Sequence, residues 1–110
     1  MRKLGVMFVL FLIACSVFAG GKAEAATEEK IVFGYVAYQL IDVWNAYTMK
    51  GFKYAAAKKG VEVIEIDPEG NQEKSLAAVE DLITRGVDGV DYYPITPELA
   101  QSVIKMLNKA

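Results

Sequence analysis

The sequence predicts an α/β fold, a parallel sheet with flanking helices in the order β-α-β-α-β-α. Two observations carry this reading. Three short apolar or β-branched runs, at residues 31–37, 61–66 and 88–93, alternate with segments of helical period. The connections between them are short, as in strand–helix–strand units whose crossovers are right-handed and whose strands run parallel. The expected order places the second strand outside, the first in the middle and the third beside it.

The elements follow in turn. The run I-V-F-G-Y-V-A at 31–37 is almost continuously apolar, which suits a strand covered by helices on both faces. Residues 43–59 then change to a helical period. Trp44, Thr48, Gly51, Phe52, Ala55 and Ala56 share one face, with Lys50, Lys53 and Lys58 opposite, and Gly60 is a natural stop. Residues 61–66 are β-branched but interrupted by Glu62 and Glu65, as expected of an edge strand. D-P-E-G at 67–70 is a turn, and Asn71 caps the next helix with Glu73 in its first turn. Leu76, Val79, Leu82 and Ile83 form that helix's apolar stripe, and Gly86 ends it. After the third strand, Thr96-Pro97-Glu98 starts a last helix that buries Ala100, Val103, Ile104 and Leu107. Asp91, a carboxylate within the third strand, requires a partner or an exposed face.

Upstream of the first strand the chain reads as a targeting segment. Arg2 and Lys3 precede apolar residues 4–14, a run too short for a bilayer span of about 20 residues but matching a secretory signal. Leu12-Ile13-Ala14-Cys15 resembles the lipobox of bacterial lipoproteins, in which the cysteine becomes the lipidated first residue. The rival is ordinary cleavage after Val17-Phe18-Ala19 or Ala23-Glu24-Ala25, with Cys15 part of the signal. Both export the protein, to the periplasm or cell envelope. The chain therefore divides into a signal peptide (1–14), a flexible tether rich in Gly, Ala and Glu (15–29) and a folded region (30–110).

Composition narrows the chemistry. The 110 residues include no histidine and one cysteine, and the formal net charge is -2. Metal sites built from His and Cys, Cys/His nucleophiles and Ser-His-Asp triads are excluded. Scattered lysines do not form the basic stripe that a nucleic-acid surface requires. No glycine-rich phosphate loop follows the first strand, where the turn reads A-Y-Q-L-I-D-V, so no nucleotide cofactor is expected. Asp42, Asp67 and Asp91 lie near carboxyl ends of strands, but nothing identifies a nucleophile or base, so no enzyme is expected.

Ligands of open parallel sheets bind beyond the carboxyl ends of the strands, where the winding reverses. Tyr38, Asp42, Trp44, Asn45 and Tyr93 fall on that rim. Flat aromatics beside a carboxylate and an amide suit a sugar, whose ring face stacks and whose hydroxyls donate to carboxylates. Each residue also has a plainer reading. Asp42 caps the first helix, Trp44 packs in the core, Tyr38 is an ordinary core or surface aromatic, Asn45 is solvated, and Tyr93 ends a strand before Pro94.

With these motifs in place, the chain resembles the ribose/galactose-type periplasmic binding proteins that feed ABC sugar transporters. The resemblance rests on I-V-F-G-Y-V-A-Y-Q-L-I-D-V-W-N, M-K-G-F-K-Y-A-A-A-K-K-G-V-E-V, I-D-P-E-G-N-Q-E-K, and E-D-L-I-T-R-G-V-D-G-V with Y-Y-P-I-T, across residues 30–110. It implies a small-molecule sugar ligand, an ABC permease partner, no cofactor, and no membrane contact beyond a lipid anchor at Cys15. It also implies that Asp42 accepts sugar hydroxyls, Trp44 stacks on the ring, and Tyr38 is a polar aromatic contact. Tyr93 stands where other members often place Asn. Asn45 stands where they place a second aromatic. Members have two lobes joined by a hinge, so 30–110 corresponds to an incomplete N-terminal lobe, expected to be marginally stable and to bind sugar weakly by itself. An extracytoplasmic sensor lobe that signals to a membrane receptor is the alternative. A repressor of the lactose-repressor family would need a helix-turn-helix where the signal segment stands.

Overall fold

A computed structural model describes residues 28–110; the expected signal segment, Cys15 and the expected tether up to residue 27 lie outside the described residues. The elements are β1 (Val32–Val36), α1 (Val43–Lys58), β2 (Glu62–Ile66), α2 (Gln72–Arg85), β3 (Gly89–Tyr92) and α3 (Pro97–Leu107). The three strands pair in parallel in the order β2-β1-β3, as expected. Each strand is one or two residues shorter than its apolar run: all three lose the first residue, and β1 and β3 also lose the last, which turns into a rim loop.

The sheet is covered on both faces. Tyr35 of β1 and Ala37 just after it pack with Met49 of α1, and Phe33 and Tyr35 meet the Phe52 ring at 6.4 and 5.3 Å. Alternate residues point the other way. Val36 joins Ala78, Val79 and Leu82 of α2 and Val103 of α3 in the second core. The chain runs from β1 outward to β2, then reverses past β1 to β3. Crossovers of one hand then require α1 and α2 on opposite faces, which is where they lie.

The caps follow the sequence signals. Asn71 Oδ1 accepts from Lys74 N (2.9 Å) and Thr96 Oγ1 from Leu99 N (3.2 Å). Gly86 ends α2 at φ 69, a conformation that side-chain-bearing residues rarely adopt. Glu62 and Glu65 guard the outer edge of β2, each in a half-exposed ion pair with Lys30 or Lys53. Such pairs contribute about 0–1 kcal/mol each, so they serve the edge more than the stability. Asp88 fastens β3 to β1 twice: its N–H donates to Val32 O and its Oδ2 accepts from Val32 N, each at 2.8 Å. Asp91 resolves by exposure. It lies on the α1 face of β3, beside an open cavity lined by Phe33, Phe52, Gly89 and Val90.

Two helix faces differ from expectation. In α1 Phe52 and Ala56 face inward as expected, but their stripe continues through Asn45 and Met49, while Trp44, Thr48, Gly51 and Ala55 are exposed. The two stripes have the same spacing and lie about 100° apart on the helix, so periodicity does not separate them. The sheet does, because Met49 and Phe52 meet Tyr35 and Phe33, and Tyr35 Oη bonds Thr48 Oγ1 at the margin of the contact (3.1 Å). In α3, Val103 is buried with Met106 and Leu107 packed alongside, but Ile104 is 56% exposed, one position off the contact stripe.

A polar tie crosses the second core. Ser75, wholly buried, donates from Oγ to Tyr92 Oη at 3.1 Å and so links α2 to β3. Tyr92→Phe leaves that hydroxyl without its acceptor and is expected to destabilise by about 1–2 kcal/mol. Adding Ser75→Ala removes the stranded group and recovers most of the loss. Urea midpoints of the two variants check this, and equal destabilisation in both would refute it.

Candidate functional site at the carboxyl rim of the sheet

Two loops and a turn build the rim. Leaving β1, Ala37 N still donates to Ile66 O (3.1 Å), and Tyr38 O accepts from Gly70 N (2.8 Å). The first loop is therefore tied to the turn after β2. Asp67 strengthens the tie: its Oδ2 accepts from Leu40 N (3.1 Å) and its Oδ1 from Glu69 N (2.8 Å). Glu69 and Gly70 both take positive φ, at 55 and 71. Its φ is what calls for glycine at 70; a Cβ there would make only ordinary contacts, 3.4 Å from Gln39 Oε1 and 3.7 Å from Tyr38 Cζ. The Tyr38 ring thus rests against the glycine.

Tyr93, leaving β3, donates its N–H to Val36 O (2.9 Å) and turns its ring toward Tyr38. The ring centroids stand 6.0 Å apart with a 58° tilt, a favourable aromatic geometry. This pair sits beyond the adjacent carboxyl ends of β1 and β3, where the winding reverses. Tyr38 is half-buried, and Tyr93 is 47% exposed.

Asp42 opens α1. One carboxylate oxygen, Oδ1, accepts from Trp44 N (2.7 Å) and Asn45 N (3.4 Å); Oδ2 makes no hydrogen bond among the described residues. Capping and ligand contact are thus compatible at this residue, one oxygen for each. Trp44 is 69% exposed, so within this chain it is not a core residue. Ile41, Val43 and Tyr47 are also largely exposed, giving the start of α1 an unusual density of uncovered apolar surface.

The predicted residues divide accordingly. Tyr38 and Tyr93 come together, and Asp42 and Trp44 stand on the first turn of α1. Asn45 turns inward: it is 4% exposed, and its Oδ1 has no partner among the described residues. The sequence reading of Asp67 as a turn residue missed its larger role, as the group that holds Leu40 and hence the rim loop in place. Its signal was present in D-P-E-G, since an aspartate at such a turn also bonds backbone two residues on. Among the described residues no group of three or more Asp, Glu, His or Cys could hold a metal, and no helix is long and apolar enough to cross a membrane.

Comparison with known proteins bears on the fold. No family model matches the chain, and no curated protein matches it. Among solved structures, a Mycobacterium smegmatis protein crystallised in complex with β-D-fucofuranose superimposes with a TM-score of 0.59 at 24% sequence identity. The match covers 68% of this chain and 26% of that one, so this chain spans about a quarter of that protein's length. The likeness is one of fold.

Proposed function

We propose that the chain belongs to the substrate-binding component of an ABC-type sugar importer, a binder and not an enzyme, which takes a monosaccharide-like ligand outside the cytoplasmic membrane. The observation that carries the reading is the rim at the switch point. A tilted tyrosine pair stands beyond β1 and β3, and α1 opens beside it with an exposed indole and an uncommitted carboxylate oxygen. These are the groups a sugar requires, a flat apolar face to stack on and a charged acceptor for paired hydroxyls. A protein with this fold crystallised with β-D-fucofuranose supports the same ligand class. The apolar start of the chain supports export, with Cys15 as the proposed lipidation point and a permease as the membrane partner.

In this role Trp44 stacks on the ring, Asp42 Oδ2 accepts hydroxyls, and Tyr38 and Tyr93 supply a further aromatic wall. Asn45, buried beneath the first turn, positions that turn and leaves ring contact to Trp44. The test is thermal stabilisation of the full-length protein across a panel of monosaccharides. At least one sugar is expected to raise the midpoint, and Trp44→Ala to weaken its binding about tenfold, the size of one aromatic stacking contact. No shift with any sugar, or a shift left intact by Trp44→Ala, would remove the site.

A further inference from the structure

We infer that the outward face of α1 rests on an anionic lipid surface. This stands on the residues of α1 alone and does not depend on the sugar reading. A helix covering one sheet face ordinarily turns charge of both signs to solvent. This one does not. Tyr47, Lys50, Tyr54 and Lys58 follow at spacings of three, four and four, so they form one outward stripe. Tyr47 is 68% and Tyr54 65% exposed.

Every charged residue of α1 is a lysine, in a chain whose formal net charge is -2. Lys53 is taken by Glu65, but Lys50 and Lys58 enter no ion pair among the described residues. Instead they lie over tyrosine rings, Lys50 Nζ 5.5 Å from the Tyr47 centroid and Lys58 Nζ 4.5 Å from that of Tyr54. Beside them Gly51 and Ala55 are exposed and small, so the Tyr54 ring stands clear of its helix neighbours, and Trp44, 69% exposed, continues the aromatic surface toward the start of α1.

The residue types choose the occupant. Tyrosine with lysine is the pairing of the membrane–water interface, where an amphipathic ring enters the headgroup layer and a flexible ammonium meets the anionic field. A carboxylate-bearing protein partner would be matched better by arginine, whose planar fork binds carboxylates bidentately, and α1 has none. Lysine, a mobile point charge, suits a diffuse negative surface.

The experiment uses the full chain carrying Trp44→Phe and Tyr54→Trp, which moves the single indole to the middle of the stripe. Emission and quenching by brominated lipid are read at saturating lipid, on neutral phosphatidylcholine vesicles and on vesicles with about one-third phosphatidylglycerol. Saturation holds attachment through the first residues constant. A blue shift with strong quenching is expected on the anionic vesicles only. Adding Lys50→Glu and Lys58→Glu, or raising salt to about 1 M, is expected to reduce the quenching about fivefold or more. Equal quenching on both vesicles, or none, overturns the inference, as does indifference to the charge reversal. A response to polyglutamate without one to vesicles assigns an acidic protein surface instead. A concentration-dependent shift without lipid assigns a second copy, and either result also overturns it.

Discussion

Leu82→Ala is expected to lower the unfolding free energy by about 3–5 kcal/mol, the largest effect of any single truncation in the second core. Leu82 is fully buried and packs with Val36, Ala78, Val79 and Val103, so its removal leaves a cavity that α2 cannot close without moving. The reason for its weight lies across the sheet. Gly34, at the centre of the middle strand, has no side chain because Leu82 fills the space. A Cβ built there would stand 2.4 Å from Leu82 Cδ1 and 3.0 Å from its Cγ. Gly34→Ala alone therefore overpacks the core and is expected to destabilise by about 1–3 kcal/mol. In the Leu82→Ala background the same methyl enters vacated space, and alanine also suits a strand better than glycine. The double variant should then be more stable than the sum of the single effects predicts, by about 1–3 kcal/mol. Urea unfolding of the four proteins at constant m-value gives the coupling. Additive effects would mean that Gly34 is small for some other reason.

That pair shows what was legible in the sequence and what was not. The apolar run I-V-F-G-Y-V-A identifies a strand buried on both faces, and the alternation of elements specifies the sheet order. Those are properties of periodicity and connection length, which are local. That Gly34 exists for Leu82, 48 positions on, is a property of packing, and no pattern in either segment records it. The same division holds at the rim. Asp42 as a cap and the position of Tyr38 and Tyr93 beyond the strands follow from sequence plus topology. The 6.0 Å meeting of the two rings does not, nor does the bond from Leu40 N to Asp67, because both join segments distant in the chain. The face of α1 is the instructive miss. Phe52 and Ala56 face inward as expected, but the row Trp44, Thr48, Gly51 and Ala55 competes with Asn45, Met49, Phe52 and Ala56 at equal spacing, and only the rings of Phe33 and Tyr35 beneath decide between them. An amide at 45 argues for solvent in isolation, yet the helix buries it so that Met49 and Phe52 can reach the sheet.

Asp42→Asn separates capping, which the structure shows, from the ligand contact proposed for the same residue at the entrance to α1. Capping needs one oxygen, and that oxygen is Oδ1, which holds Trp44 N at 2.7 Å and Asn45 N at 3.4 Å. Asparagine offers an equivalent carbonyl oxygen and ranks with aspartate as a cap, so the unfolding free energy is expected to stay within about 0.5 kcal/mol of the parent. The second position changes in kind. Where Oδ2 presents a charged acceptor, the amide presents a donor, and a sugar hydroxyl bound there as proposed would lose its acceptor. Hydrogen bonds to charged groups contribute about 1.5–3 kcal/mol, so affinity for the ligand found in the sugar panel is expected to fall about 10- to 100-fold. Asp42→Ala loses both functions and is expected to add about 1 kcal/mol of destabilisation to the same loss of affinity. Titration calorimetry and urea unfolding on the same three proteins distinguish the outcomes. Weak binding with unchanged stability in Asp42→Asn places the carboxylate on the ligand. Binding that falls only in Asp42→Ala, in step with stability, would reduce Asp42 to a cap and move the hydroxyl acceptor elsewhere on the rim.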